Sequence, residues 1–148
     1  VSPENEICFI QCFEAEELIY LYDKKKCPYT LVQLLGGRPL GLVQPAEGSD
    51  RLQTLKAELS AIARYADGVG PAIPLLIAEE DGKVESTGFV EAAHEQGLVV
   101  HPYTVRSDML PAWCKDVDQL HEVLIKQLKV DGFFTDFPDL AVRFRDKQ

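Results

Sequence analysis

The sequence predicts an α/β fold built on a parallel sheet. Three observations point there: five short apolar segments, segments of helical period between them, and no two-residue hairpin turn joining neighbouring strands. Such alternation feeds parallel strands through right-handed crossover helices. At 148 residues, with 46% hydrophobic and 26% charged residues, the chain suits one globular domain. No internal repeat, low-complexity tract or linker divides it, so residues 1–148 are read as a single domain.

The elements follow in order. Ile7-Cys8-Phe9-Ile10-Gln11-Cys12-Phe13 is a near-continuous apolar run, the mark of a strand buried on both faces. Glu14 to Lys26 reads as a helix. Glu14, Glu16 and Glu17 crowd its start and Lys24, Lys25 and Lys26 its end, as the helix dipole prefers, with Leu18, Leu21 and Tyr22 turned inward. Tyr29 to Leu35 is the second strand, ending in Gly36-Gly37. A Gly- and Pro-rich loop then runs to about Ser49, longer than a routine connection.

Asp50 caps a helix carrying Leu52, Leu55, Leu59 and Ile62 at helical spacing. Tyr65 to Pro71 is the third strand. Glu79-Glu80-Asp81, followed by Gly82, reads as a solvated acidic turn, because it lacks the alternating ligand spacing of a calcium loop. Thr87 caps a helix reaching Gln96, and Gly97 stops it. Leu98 to Val105 is the fourth strand. Asp116 opens another helix, with Gln119 three residues on and Val117, Leu120, Leu124 and Leu128 along one side. Phe133 to Phe137 is the fifth strand, and a short charged tail follows.

Composition sets limits on function. A net charge of −9 repels a phosphate backbone, so nucleic acid is not an expected partner. No apolar run approaches the ~20 residues of a membrane span, and no export signal is visible. The cysteines at 8, 12, 27 and 114 lack Cys-x-x-Cys spacing. Cys8 and Cys12 on one strand would stand about 13 Å apart, beyond disulfide reach. The cysteines are read as small buried hydrophobes.

Polar side chains recur where strands end: Gln11, Gln33, Asp67, His101 with Tyr103 and Arg106, and Asp136. In a barrel of parallel strands the carboxyl ends converge on one mouth, where chemistry is done. His101 and Tyr103 project from one strand face. His101 is either a proton donor and acceptor near neutral pH or a core hydrogen-bonding group. Arg106 offers a planar fork to phosphate, or pairs with Asp108 or Asp136. His94 and His121, on helices among charged neighbours, are expected in solvent. The sequence has no serine nucleophile elbow, no Cys/His pair and no Gly-rich phosphate loop after the first strand. That last gap weakens an open nucleotide-binding sheet as the alternative to part of a barrel.

Five motifs in order carry a family resemblance. They are Gln11-Cys12-Phe13-Glu14, Leu31-Val32-Gln33-Leu34, Tyr65-Ala66-Asp67-Gly68-Val69-Gly70-Pro71, His101-Pro102-Tyr103-Thr104-Val105-Arg106 and Phe134-Thr135-Asp136-Phe137-Pro138-Asp139. Together they resemble the C-terminal half of glycerophosphodiester phosphodiesterases, in particular the bacterial periplasmic type. The resemblance implies an α/β fold of the (β/α)8 TIM-barrel family, this chain carrying about strands four to eight with their helices. It implies a hydrolase that cleaves glycerophosphodiesters to glycerol 3-phosphate and an alcohol in the periplasm.

The mechanism the resemblance implies uses two histidines as base and acid, an arginine on the phosphate, and a carboxylate-held divalent cation, calcium in most members. None of those catalytic or metal motifs occurs in residues 1–148. The expectation is therefore a chain inactive by itself, with its cation ligands elsewhere. What the resemblance transfers is a substrate-side wall: Tyr103 against the glycerol or alcohol moiety, Phe13 and Phe137 as further lining, and Gln11, Arg106 and Asp136 as a polar rim. The competing expectation is a non-catalytic half-barrel that binds a partner or self-associates through exposed sheet edges.

Overall fold

The computed structural model describes residues 8–36, 50–80 and 83–147. Strand β1 is Phe9–Cys12, β2 Thr30–Leu35, β3 Gly68–Pro71 and β6 Val99–Val100, lying side by side in that order and parallel throughout. Parallel bridges Ala72–Tyr103 and Val105–Thr135 extend the pattern past β6 and bring residues 133–136 alongside as a fifth position. Helices α1 (Ala15–Asp23), α2 (Arg51–Ile62) and α3 (Phe89–Glu95) form the crossovers. The mixed α/β character and parallel sheet are those the sequence predicts.

Register decides which face each side chain takes. Gln11 pairs with Val32, Val32 with Gly68, and Gly68 with Val99, so these four share one face. Ile10, Cys12, Leu31, Leu35, Val69 and Val100 take the other, under the helices, where Leu18, Leu55, Leu59 and Phe89 complete the core. The first face is far less covered: Phe9 is 39% and Phe13 54% exposed. Glycine at 68 and 70 lets neighbours lean across β3. A Cβ at 68 would lie 2.6 Å from Val99 Cγ2, and one at 70 would lie 2.5 Å from Leu34 Cδ2.

Capping follows local chemistry. The Asp50 carboxylate accepts from Leu52 N at 2.9 Å and starts α2 as expected. Asp116 accepts from Gln119 N at 2.8 Å ahead of α4 (Val117–Glu122), while Gln119 Oε1 reaches back to Lys115 N at 2.8 Å. The helix widens into a π-turn over Val123–Gln127.

Several expectations need correction. An antiparallel hairpin is present: β4 (Ile77–Glu80) pairs with β5 (Lys83–Ser86), Glu80 opposite Lys83. The acidic run at Glu79 therefore begins in a strand; Asp81 and Gly82 lie outside the described residues. The Asp-Gly dipeptide between the two strands is itself a hairpin signal. Thr87 does not cap α3. Its hydroxyl donates to Leu75 O at 2.7 Å, and Gly88 at φ 81° takes the N-cap position. The first helix stops at Asp23, short of the lysines, and Tyr22 is exposed rather than turned inward; Leu52, at the start of the α2 stripe, is also exposed.

The charged tail is a helix, α5 (Pro138–Arg145), with proline in its first turn, Asp139 beside it, and Arg143 and Arg145 in the last turn. His121 is not in solvent but 0% exposed. All four cysteines are free, as expected, but half-buried rather than buried. The start of the first strand at Ile7 and the loop from Gly37 to Ser49 lie outside the described residues.

Candidate functional site

The carboxyl ends of the parallel strands enclose a shallow pocket of about 320 Å³. Gln11 and Phe13 come from the end of β1, Leu34 from β2, Tyr103 from the segment after β6, and Phe134 and Asp136 from the last strand segment. Parallel strands put these ends on one side by construction, because every crossover returns the chain to the amino-terminal end of the sheet before the next strand begins. Four predicted positions, Gln11, Phe13, Tyr103 and Asp136, thus meet at one place.

Tyr103 anchors the wall. Its hydroxyl donates to Leu35 O at 2.9 Å, and its ring meets Phe13 edge-on, centroids 5.9 Å apart and planes at 90°. Burial pushes its phenol up, so it stays a neutral donor. Arg106 does not line the pocket but joins it through Asp136, Nη1 to Oδ2 at 3.1 Å. Its fork is closed on Asp108, Nε to Oδ1 at 3.0 Å and Nη2 to Oδ2 at 2.9 Å. The hydrogen bond with Asp108 raises the guanidinium further and, in return, holds the Asp108 carboxyl below its ordinary range. The rim thus pairs one cation with two carboxylates.

Phe137 stands apart from the lining. It occupies the N-cap of α5, its amide donating to Thr135 Oγ1 at 3.0 Å. His101 lies deeper than Tyr103 on the same strand. It packs against Phe9 at 4.8 Å and Phe134 at 6.4 Å, with Gly132 giving it room. Burial holds its pKa below the ordinary value, and Asp131 offsets part of that shift, so its ring is neutral at pH 7.

Two polar positions predicted at strand ends are elsewhere. Asp67 precedes β3, at the opposite end of the sheet, where it accepts from Leu31 N at 2.9 Å. Gln33 points to the helix side and is 4% exposed. Leu34, Thr104, Phe134 and Thr135 also line the pocket; the apolar run Phe133-Phe134 before Asp136 is the sequence signal for two of them. A larger cavity of about 420 Å³ lies behind Phe13, among Leu34, Glu58, Ile62 and Tyr65. Its wall is mostly apolar; its Gln33 and Tyr65 bond to each other, and among the described residues Glu58 is the one carboxylate on it.

Among the described residues no group of three His, Cys, Asp or Glu side chains is placed to hold a metal ion. None of their helices is long and apolar enough to cross a membrane.

Comparison with known proteins gives this geometry a context. Residues 3–140 match the family described as the glycerophosphoryl diester phosphodiesterase family. A glycerophosphodiester phosphodiesterase of Haemophilus influenzae is 39% identical over 89 residues, covering 58% of this chain and 24% of that protein. One from Treponema pallidum is 39% identical over 92 residues, covering 60% of this chain and 26% of the relative. A plant glycerophosphodiester phosphodiesterase, from Arabidopsis thaliana, is 28% identical over 133 residues, covering 87% of this chain and 35% of its own length. The chain thus matches only about a quarter to a third of the length of these curated relatives.

Proposed function

Since the chain belongs to the glycerophosphoryl diester phosphodiesterase family, whose fold is of the TIM-barrel type, we propose that its strand-end pocket is the substrate-side wall of such an enzyme. In this reading the chain supplies about strands four to eight of the barrel. The complete site hydrolyses a glycerophosphodiester to glycerol 3-phosphate and an alcohol. The observation that carries the reading is the meeting of Gln11, Phe13, Tyr103 and Asp136 from three separate strand ends at one pocket.

Each residue has a stated part. Tyr103 and Phe13 present aromatic edges to the glycerol or alcohol carbons and exclude water from them. Gln11 and Asp136 hydrogen-bond to hydroxyls. Arg106 orients the phosphate when its fork shifts from Asp108. The family resemblance calls for a divalent cation, calcium in the expectation above. The described residues form no cation site, and in this reading the cation's ligands lie beyond them. The same resemblance assigns the protein to the periplasm.

The test is a titration of glycerophosphocholine into the 148-residue chain, followed by NMR. Shifts should centre on Phe13, Tyr103 and Asp136, and Tyr103→Ala should abolish them. In the intact enzyme the same substitution should raise KM more than it lowers kcat, the pattern of lost uniform binding. The chain alone should release no glycerol 3-phosphate with or without calcium. Calcium-dependent release by it would overturn the division of labour.

A second reading, self-association, rests on the exposure of Phe9 and Phe13 and on β1, which among the described residues is flanked by β2 alone. A strict monomer by light scattering at high concentration removes it.

A further inference from the structure

Gln33 is a buried amide on the helix side of the sheet, away from the pocket, yet its hydrogen bonds end at the pocket rim. Its Nε2 donates to Phe13 O at 2.9 Å, Leu34 O at 3.1 Å and Cys12 O at 3.3 Å. Those partners are all carbonyls, which only accept, so the nitrogen must face them and Oε1 must point away. Tyr65 meets that oxygen, its hydroxyl donating at 2.9 Å. Burial raises the Tyr65 phenol and keeps it protonated.

Two other hydrogen bonds act at this exit, both long: Glu14 N donates to Cys12 Sγ at 3.4 Å and Glu17 N to Glu14 O at 3.2 Å, and neither holds the Phe13 carbonyl. The β1–β2 ladder ends at Cys12 opposite Gln33. The N-cap of α1, Glu14, makes no side-chain cap bond. Between these lies Phe13, 54% exposed, whose ring stands edge-on to Tyr103. Its carbonyl is held from behind by Gln33.

We propose that Gln33 and Tyr65 are positioning residues: a buried amide–phenol clamp that fixes the exit of β1 and thereby holds Phe13 against Tyr103 at the pocket rim. The clamp deepens the substrate-wall reading and rests on it for its consequence in binding. The ring arrangement itself does not depend on any ligand. An amide suits the task because it joins donors for the carbonyls to an acceptor for the phenol. Leucine supplies neither, and a carboxylate would face three carbonyls with oxygen.

The experiment uses the 148-residue chain and Tyr65→Phe, the mildest change, since it removes one hydroxyl and keeps the ring. Far-UV circular dichroism and the amide spectrum establish that the variant folds; Gln33→Leu is a second, harsher variant. The expected result is loss or weakening of the Phe13–Tyr103 ring contact seen by nuclear Overhauser effects, while other aromatic contacts, such as that of Phe9 with His101, persist.

Glycerophosphocholine should bind Tyr65→Phe severalfold more weakly than the parent. In a Phe13→Ala background, Tyr65→Phe should have no further effect, because its influence runs through Phe13. An unchanged Phe13–Tyr103 contact overturns the clamp, as does an affinity loss of equal size in the Phe13→Ala background. If glycerophosphocholine perturbs no resonance of the parent chain, the substrate-wall reading falls, and the ring contact alone decides the clamp.

Discussion

The pocket at the strand ends and the layer formed by α4 and α5 are built from similar side chains, and they treat them in opposite ways. Each region holds aromatic rings and a titratable group. At the pocket the polar atoms reach solvent or a defined partner: Tyr103 on Leu35 O, Arg106 on Asp108 and Asp136. In the second region His121 is fully buried, stacked on Phe133 and tilted against Phe144 at 5.1 Å each, and neither ring nitrogen has a partner among the described residues. A histidine so placed packs as an aromatic ring. Chemistry requires a proton-carrying group that can meet water or substrate; residue type alone does not supply that.

The largest expected effect tests the packing side of this contrast. Phe144→Ala removes a buried ring beside His121 and should destabilise the fold by about 3–5 kcal/mol, read as a shift in the urea midpoint at constant slope. A loss far below that would show the α4–α5 layer to be loosely held and the contrast overstated.

The next effect is a pH dependence. Burial lowers the pKa of His121, with Asp118 opposing and Arg143 reinforcing the shift. In the unfolded chain its pKa is the ordinary ~6.5. Below that value the unfolded state binds the proton and the folded state does not. Stability is therefore full above pH 6.5 and falls as pH drops, by about 1.4 kcal/mol per unit, until the folded pKa is reached. His121→Leu should flatten this fall below about pH 6.5. His101, shifted the same way by burial, leaves a residual slope. An unaltered slope in His121→Leu would mean that the ring is not held neutral by burial.

The smallest effect belongs to the rim. Asp108→Asn frees one side of the Arg106 fork, so glycerol 3-phosphate should bind more tightly, by about tenfold or less, as measured by NMR titration. The melting temperature should barely move, because exposed ion pairs contribute little. Unchanged affinity would show that Arg106 takes no part in holding phosphate.

How much of this was legible in the sequence depends on the range of the interaction concerned. The Asp50 and Asp116 caps were readable because a carboxylate and its amide partner lie two or three residues apart. The parallel order was readable from alternation, and the five strand-end motifs pointed to the family. The hairpin at β4–β5 and the helix at Pro138 are also local, carried by Asp81-Gly82 and by Pro138-Asp139.

Other features had no local signal. Gln33 and Gln11 are the same residue type at the ends of adjacent strands, and register alone turns one into the helix layer and the other onto the pocket. Asp67 belongs to the opposite end of β3 because of where the strand begins. His121 is buried because residues 12 and 23 positions later fold back onto it. The sequence by itself determined the alternating parallel elements, the Asp50 and Asp116 caps and the family. Only tertiary structure decided which polar side chains share a pocket, because face and depth are set by pairing between segments distant along the chain.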